Sequence, residues 1–277
     1  MDEEAHVEIG GYRVDAVIDG EGSLRPDEVL PGIPASAWER HRTLLDDAGL
    51  LPIVIGGLLL RGHGRTVLVD LGYGEGALGD TPTGRMLGSL RGLGVDPDDV
   101  TDVLFTHLHR DHVGWASADG TPTFARARLR CGAADRAYFV EEPHDPSVAE
   151  RLRPCLGRLG AFEEGGEVPG IAAVPAPGHT PGSTILTVSE GERRLMLLGD
   201  VAHLPVQLLE TGWATPWDVD AAQARRTRER VVRAAVDEPV WLVGTHFPGM
   251  RPGRLLDGGS GLRWETGNGR HRSGPPG

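Results

Sequence analysis

The chain has 277 residues, of which 39% are hydrophobic, and a formal net charge of −12. That length suits one large domain or two small ones, and that charge argues against general affinity for nucleic acid or an anionic membrane surface. No stretch approaches the roughly 20 apolar residues of a membrane span, and the acidic opening "MDEEAHVEIG" lacks the basic and apolar regions of a signal peptide, so a cytoplasmic location is expected.

In chain order, "YRVDAVIDGEGSL" (12–24) reads as a strand running into a loop, and "IVIGGLLLRGHGRTVLVDLG" (53–72) as two strands around a glycine-rich turn. Met86, Leu87, Leu90 and Leu93 recur at helical spacing, which predicts a helix over 81–94 ending in glycine. Residues 124–132 alternate and predict a strand; 133–141 and 147–159 read as helical. Strands are expected at 171–174, 183–188 and 193–198, then a strong helix over 220–236 carrying Arg225, Arg226, Arg228, Arg230 and Arg233. That arginine run is expected to be a solvated face. A short strand at 240–243 follows, and after Pro252 "RLL" is expected to pair with "LRW". Without a convincing linker, residues 1–265 are expected to form one domain and 266–277 a disordered tail. Strands and helices mix without strict βαβ alternation, which points to packed sheets covered by helices.

Cys131 and Cys155 form no CxxC pair and are expected to fill core space. Lysine is absent, so Schiff-base chemistry is excluded.

The informative pattern lies at the ends of the apolar runs. "VLF" leads into Thr106, His107, His109, Asp111 and His112; "IAAVPAPG" into His179; "RLMLLG" into Asp200; "WLVGT" into His246. If these strand ends share one rim, five histidines and two aspartates converge there. The spacing of His107 and His109 lets two imidazoles reach one ion from a bent loop, while Asp111 and His112 can serve a second. A bridging Asp200 would hold the ions roughly 3.5–4 Å apart. Imidazole and carboxylate without thiolate suit Zn²⁺, with Mn²⁺, Fe²⁺ or Co²⁺ as alternatives. His6, His41, His63, His144 and His271 lack such context and are expected at the surface.

With "THLHRDH", "PGHTPGS", "LLGD" and "GTHFPG" in that order, the sequence resembles the metallo-β-lactamase superfamily. The resemblance implies an α+β fold, a four-layer αββα sandwich with a dinuclear site at one edge. It implies His107, His109 and His179 on one zinc ion, Asp111, His112 and His246 on the other, and Asp200 between them. Asp70 matches an aspartate below the site that orients the ligand loop, or is simply a turn residue at a strand end. "THLHRDHVGW", "GDVAHLPVQ" and "GTHFPG" look most like the branch of N-acyl-homoserine lactonases and methyl-parathion-hydrolase-like enzymes. Resistance-type lactamases place Cys at Asp200, and diiron flavoproteins place Glu at His109. Glyoxalase II adds a C-terminal helical part, for which the stretch beyond His246 is short.

The implied activity is hydrolysis of an ester, lactone or thioester of a small molecule by a water activated between two zinc ions, with Asp111 as proton carrier. The alternatives are a phosphotriester or phosphodiester hydrolase and, from another class, a diiron redox protein. His203 either hydrogen-bonds the substrate carbonyl near the rim or is structural. Arg110 either attracts a substrate anion or forms an outward salt bridge. Trp115, Phe139, Leu204, Trp213 and Trp217 are candidate pocket walls or core. Asp218 and Asp220 are expected to cap the arginine-rich helix. No nucleic-acid or membrane partner is implied; a homodimer is.

Overall fold

The computed structural model describes residues 6–163, 168–259 and 261–267. The expected tail beyond 267, and His271 with it, lies outside the described residues. Thr266 still belongs to a strand.

Two large sheets carry the fold. The first holds β1 (Val7–Ile9), β2 (Tyr12–Leu24), β3 (Leu51–Gly62), β4 (Arg65–Val69), β5 (Asp102–Leu104), β6 (Arg128–Cys131) and β7 (Leu159–Ala161), side by side in sequence order. The second holds β8 (Ile171–Pro175), β9 (Thr184–Glu190), β10 (Arg193–Leu197), β11 (Val240–Val243), β12 (Gly253–Asp257) and β13 (Leu262–Thr266), also in order. Pairing is antiparallel from β1 to β4 and parallel from β4 to β7. In the second sheet only β10 and β11 run parallel. Each parallel step requires a crossover. The helix Met86–Gly92 lies in the one between β4 and β5, and the helix Ala221–Ala235 in the one between β10 and β11.

Strand periodicity assigns the layers. Leu58, Leu60, Val67 and Val69 face Leu186, Val188, Leu195 and Leu197 of the other sheet in a central core. Leu59 and Leu68, one residue out of phase, turn outward onto Met86, Leu90, Val148 and Leu152. On the far side Ile185 and Leu242 pack beneath Val231 and Ala235 of the long helix. Helix, sheet, sheet, helix is the four-layer order expected. A fourth cluster joins Val29, Leu30 and Trp38 to Leu204 and Val206.

Several expectations need correction. The helix starts at Met86, not 81: Thr81–Thr83 forms a hairpin with Gly76–Leu78, and Pro82 cannot sit inside a helix. Only Arg128–Cys131 of 124–132 is strand; Phe124 and Ala127 are core residues in a turn, with the Ala127 amide donating to the Phe124 carbonyl. Leu159 belongs to β7 rather than to the preceding helical turns. The long helix begins at Ala221 with Asp220 as its cap, accepting from the Gln223 amide at 2.8 Å. Arg228 on that helix is fully buried, so the arginine run is not one solvated face. His41 is also buried, bonded to Glu210 at 3.0 Å. Both cysteines are buried and free, as expected.

Asp19, two residues beyond Val17 on the same face of β2 and at a register shift between Ile18 and Gly20, lies on the first sheet's helix-covered side. Its carboxylate accepts from the amides of Tyr73, Gly74, Gly84 and Met86 and from the Trp115 indole, at 2.8–3.1 Å. It thereby ties the loop after β4 to the start of the Met86 helix. Asp19→Ala strands those buried donors and is expected to cost roughly 3 kcal/mol or more in urea unfolding. A loss under about 1 kcal/mol would contradict this account.

Candidate metal centre

The strands deliver their polar residues to one edge. β4 and β5 run parallel, and so do β10 and β11; β8, two antiparallel steps from β10, shares its direction. Asp70, the run from Thr106 to His112, His179, Asp200 and His246 therefore all follow C-terminal strand ends on the same rim. The main-chain amide of Thr184 donates to the Thr106 carbonyl at 2.8 Å and stitches the two sheets together there.

All seven residues expected as ligands come together. His107 Nε2, His109 Nδ1 and His179 Nε2 converge, with 3.2 Å and 2.8 Å from His109 to the other two. The Asp200 carboxylate sits at the centre. Its Oδ2 lies 3.7 Å from His107, 3.3 Å from His112, 3.6 Å from His179 and 3.3 Å from His246. Asp111 Oδ2 lies 3.3 Å from His246 Nε2, and Oδ1 3.9 Å from His112 Nε2. Three-residue groups that could hold an ion include His107–His109–His179, His107–His112–Asp200 and Asp111–His112–His246.

The outer partners show why these nitrogens point inward. A carboxylate or carbonyl can only accept, so each imidazole facing one must carry hydrogen on that nitrogen. His112 Nδ1 faces Asp70 at 2.9 Å, His179 Nδ1 faces Asp218 at 3.1 Å, and His246 Nδ1 faces the Val54 carbonyl at 2.8 Å. Thr106 donates its hydroxyl hydrogen to Asp70 at 2.7 Å, so at 3.1 Å it accepts from His107 Nδ1. In their neutral forms four Nε2 lone pairs are thus aimed at one another and at Asp200. Lone pairs facing lone pairs and carboxylates need protons or cations between them. His112 Nε2 and Asp200 Oδ1 are buried without a hydrogen-bond partner among the described residues. The donor set fits a pair of divalent ions.

The ionisation pattern agrees. Burial drives His107 well below the usual imidazole range and His109 down to about 3, with neighbouring imidazoles adding to it. For His112 and His246 burial also opposes charge, but Asp200, with Asp70 or Asp111, outweighs it; His246 is pushed up to about 10. Asp111 and Asp200 are held low against burial by the surrounding histidines.

Asp70 is both things expected of it. At φ +62° it is a left-handed residue at a strand end, and its buried carboxylate accepts from the Thr106 amide and hydroxyl, His112 and Thr245. Asp135, which no pattern in the sequence flags, does the same for the other loop. It accepts from the Leu108 amide, between His107 and His109, and from Thr180 and Gly182 just after His179. Gly199 supplies the last constraint: at φ +52° it passes so close to Thr106 that an added Cβ would lie 2.4 Å from the hydroxyl oxygen.

Other placements differ from expectation. His203 is buried within the cluster: its Nε2 lies 3.2 Å from Asp200 Oδ2, and its ring lies between His246 and Trp217. Burial holds its imidazole below the usual range against the pull of Asp200. Arg110 turns to Tyr73 and, among the described residues, forms no salt bridge. It stacks on the Tyr73 ring at 4.4 Å and donates to the Tyr73 carbonyl. Asp218 is no helix cap; it supports His179. Of the candidate walls, Phe139 meets His109 edge-on at 5.5 Å and Trp217 covers His203 at 5.3 Å with 45% of its surface exposed. Trp115 and Leu204 are core, and Trp213 packs on Trp38 and His41.

The profile of the metallo-beta-lactamase superfamily matches residues 58–246. The chain belongs to that superfamily and has its α+β fold. The chain is similar to an N-acyl homoserine lactonase of Bacillus thuringiensis, 26% identical over 167 residues, covering 54% of this chain and 64% of that protein. A probable metallo-hydrolase of Mycobacterium tuberculosis is 29% identical over 131 residues, 40% of each chain. The chain thus spans less than two thirds of these relatives' length. Among solved structures, AidC, a dizinc quorum-quenching lactonase in complex with a product, superposes with TM-score 0.81 at 21% identity, over 94% of this chain and 96% of that one. The hydrolase AbOPH gives 0.80 at 21% identity, over 94% and 95%.

Any divalent ion entering the cluster must displace the protons on His112 and His246. With His246 protonated below about pH 10, affinity is expected to rise with pH through the neutral range, by up to about tenfold per unit for each proton displaced. Chelator competition with zinc at about pH 6, 7 and 8 checks this; a flat profile contradicts it.

Proposed function

We propose that the protein is a metal-dependent hydrolase that holds two zinc ions and cleaves an ester-like bond, in a lactone, ester or thioester, of a small molecule. The observation that carries this reading is the ring of inward lone pairs around Asp200, whose Oδ1 is buried and unpartnered. His107, His109 and His179 would hold one ion, Asp111, His112 and His246 the other, with Asp200 shared. The bound pair supplies an activated water at neutral pH, where one ion alone brings the pKa of its water to about 7, and a Lewis acid for the carbonyl oxygen.

The chain's own groups do the rest. Asp111 keeps 17% of its side chain exposed, against 2% for Asp200. In this reading Asp111 would take the proton of the attacking water and return it to the leaving oxygen or sulfur. His203, whose Nε2 lies 3.2 Å from Asp200 Oδ2, would donate to the substrate carbonyl. Trp217 and Val219, 45% and 47% exposed, give the opening an apolar lip, and Phe139 packs on His109. Such walls suit a neutral substrate with an apolar appendage.

The similarity to lactonases supports the ester-like reading, and that to AidC the zinc pair. Arg110, the one fixed cation in the loop 107–112, directs its guanidinium at Tyr73, so its contacts give no support to a phosphodiester substrate. Phosphotriesters, being neutral, are the second substrate class to test.

Asp200→Ala is expected to lose most bound zinc and nearly all activity, since both ions share that ligand. Wild-type metal content in the variant contradicts the assignment. A panel of chromogenic lactones, esters, thioesters and phosphotriesters with zinc-loaded protein fixes the bond cleaved. Turnover of phosphotriesters alone overturns the ester reading, and a visible redox-active iron chromophore in the purified protein overturns both.

A further inference from the structure

We infer that Asp218 and Arg228 are positioning residues for His179, and that they lock the Trp217–Val219 lip and the ligand imidazole into one rigid unit. This rests on the reading of the cluster as a metal site.

The chain of contacts is continuous and buried. Asp218 Oδ1 lies 3.1 Å from His179 Nδ1, and Oδ2 lies 3.3 Å from an Arg228 guanidinium nitrogen; both side chains are 0% exposed. Arg228 Nε donates to the Thr211 carbonyl at 3.0 Å, and one of its terminal nitrogens has no partner among the described residues. Ala224, Thr227, Val231 and Ala235 form the rest of the helix's buried face. An apolar residue at 228 would pack there without the desolvation cost of a guanidinium, so packing does not explain the arginine. Its position is explained by the carboxylate it faces. The guanidinium can only donate, so Asp218 Oδ2 accepts from it and Oδ1 is left to accept from His179 Nδ1, which leaves Nε2 free, aimed at His109 Nδ1 2.8 Å away.

The backbone adds two rungs beside this side-chain link. The Val219 amide donates to the His179 carbonyl at 3.0 Å and the Asp220 amide to the Gly178 carbonyl at 2.9 Å. From the same helix, Thr227 donates to the Pro177 carbonyl at 2.7 Å. Gly178 runs so close to the helix that a Cβ would lie 2.3 Å from the Ala224 nitrogen. Asp218 points in between two exposed neighbours, Trp217 and Val219. The residue that orients the ligand thus also sets where the lip stands.

Three measurements on the full chain test this: zinc affinity by chelator competition, melting of metal-free and zinc-loaded protein, and imidazole ¹⁵N spectra of the metal-free protein. The wild type is expected to show His179 protonated at Nδ1. Asp218→Ala is expected to weaken one zinc equivalent about 10–100-fold, with Asp218→Asn, which keeps an accepting oxygen, in between. Arg228→Met is expected to weaken the same equivalent. A purely structural role would lower metal-free and loaded melting equally and leave zinc affinity unchanged, which overturns the inference. So does a wild-type His179 protonated at Nε2, a result that needs no variant to fold. Wild-type protein that takes up no zinc overturns the metal reading and this inference with it; wild-type uptake matched by Asp218→Ala overturns this inference alone.

Discussion

The buried carboxylate of Asp70 is the contact on which the site depends. It stands where β4 stops, and its two oxygens accept from the Thr106 amide, the Thr106 hydroxyl, His112 and Thr245. Those partners come from β5's loop in the first sheet and from the turn after β11 in the second. One anion thus orients a histidine directly, a second through the threonine hydroxyl, and holds the residue before a third. It can do so because four donors surround it; with fewer, a wholly buried charge would be costly to keep.

Similar supports stand behind other parts of the site. Asp135 fixes the backbone between His107 and His109 and the turn after His179; Asp218 fixes His179 itself; the Val54 carbonyl fixes His246. The inner groups are then left facing one another with unshared electron pairs. That arrangement is unfavourable in isolation and becomes favourable when positive charge occupies the centre. Folding energy held in the outer hydrogen bonds is what maintains it, and the paired carboxylates Asp111 and Asp200 lower the cost by drawing protons onto His112 and His246 when no metal is present.

Much of this was legible in the sequence. Four apolar runs each ending in His or Asp announced both the strands and the rim, because a strand's direction fixes where its next residue appears. The seven converging side chains followed from that alone. What was not legible were the supports. Asp135 sits in an ordinary helical stretch, and its partners are backbone amides that no pattern displays. Asp218 precedes a helix in "WDVD", so a cap was the natural reading, and only Asp220 fills that role. Arg228 could have been found: with Ala224, Val231 and Ala235 it shares the inward face of the helix at spacings of four, three and four. Composition drew attention to the five arginines as a group, when their phase on the helix mattered. His41 and Arg110 were misplaced for a similar reason, since their partners Glu210 and Tyr73 lie far away in sequence.

Two surface segments differ in how they are held. The segment 26–44 packs through Val29, Leu30 and Trp38 on Leu204 and Val206, in a hydrophobic cluster of its own. In the other, Trp217 and Val219 flank a side chain bonded to His179. Changes in the first are felt as changes in apolar packing. The second is anchored, because any change there is felt as a change in the geometry of the reacting centre.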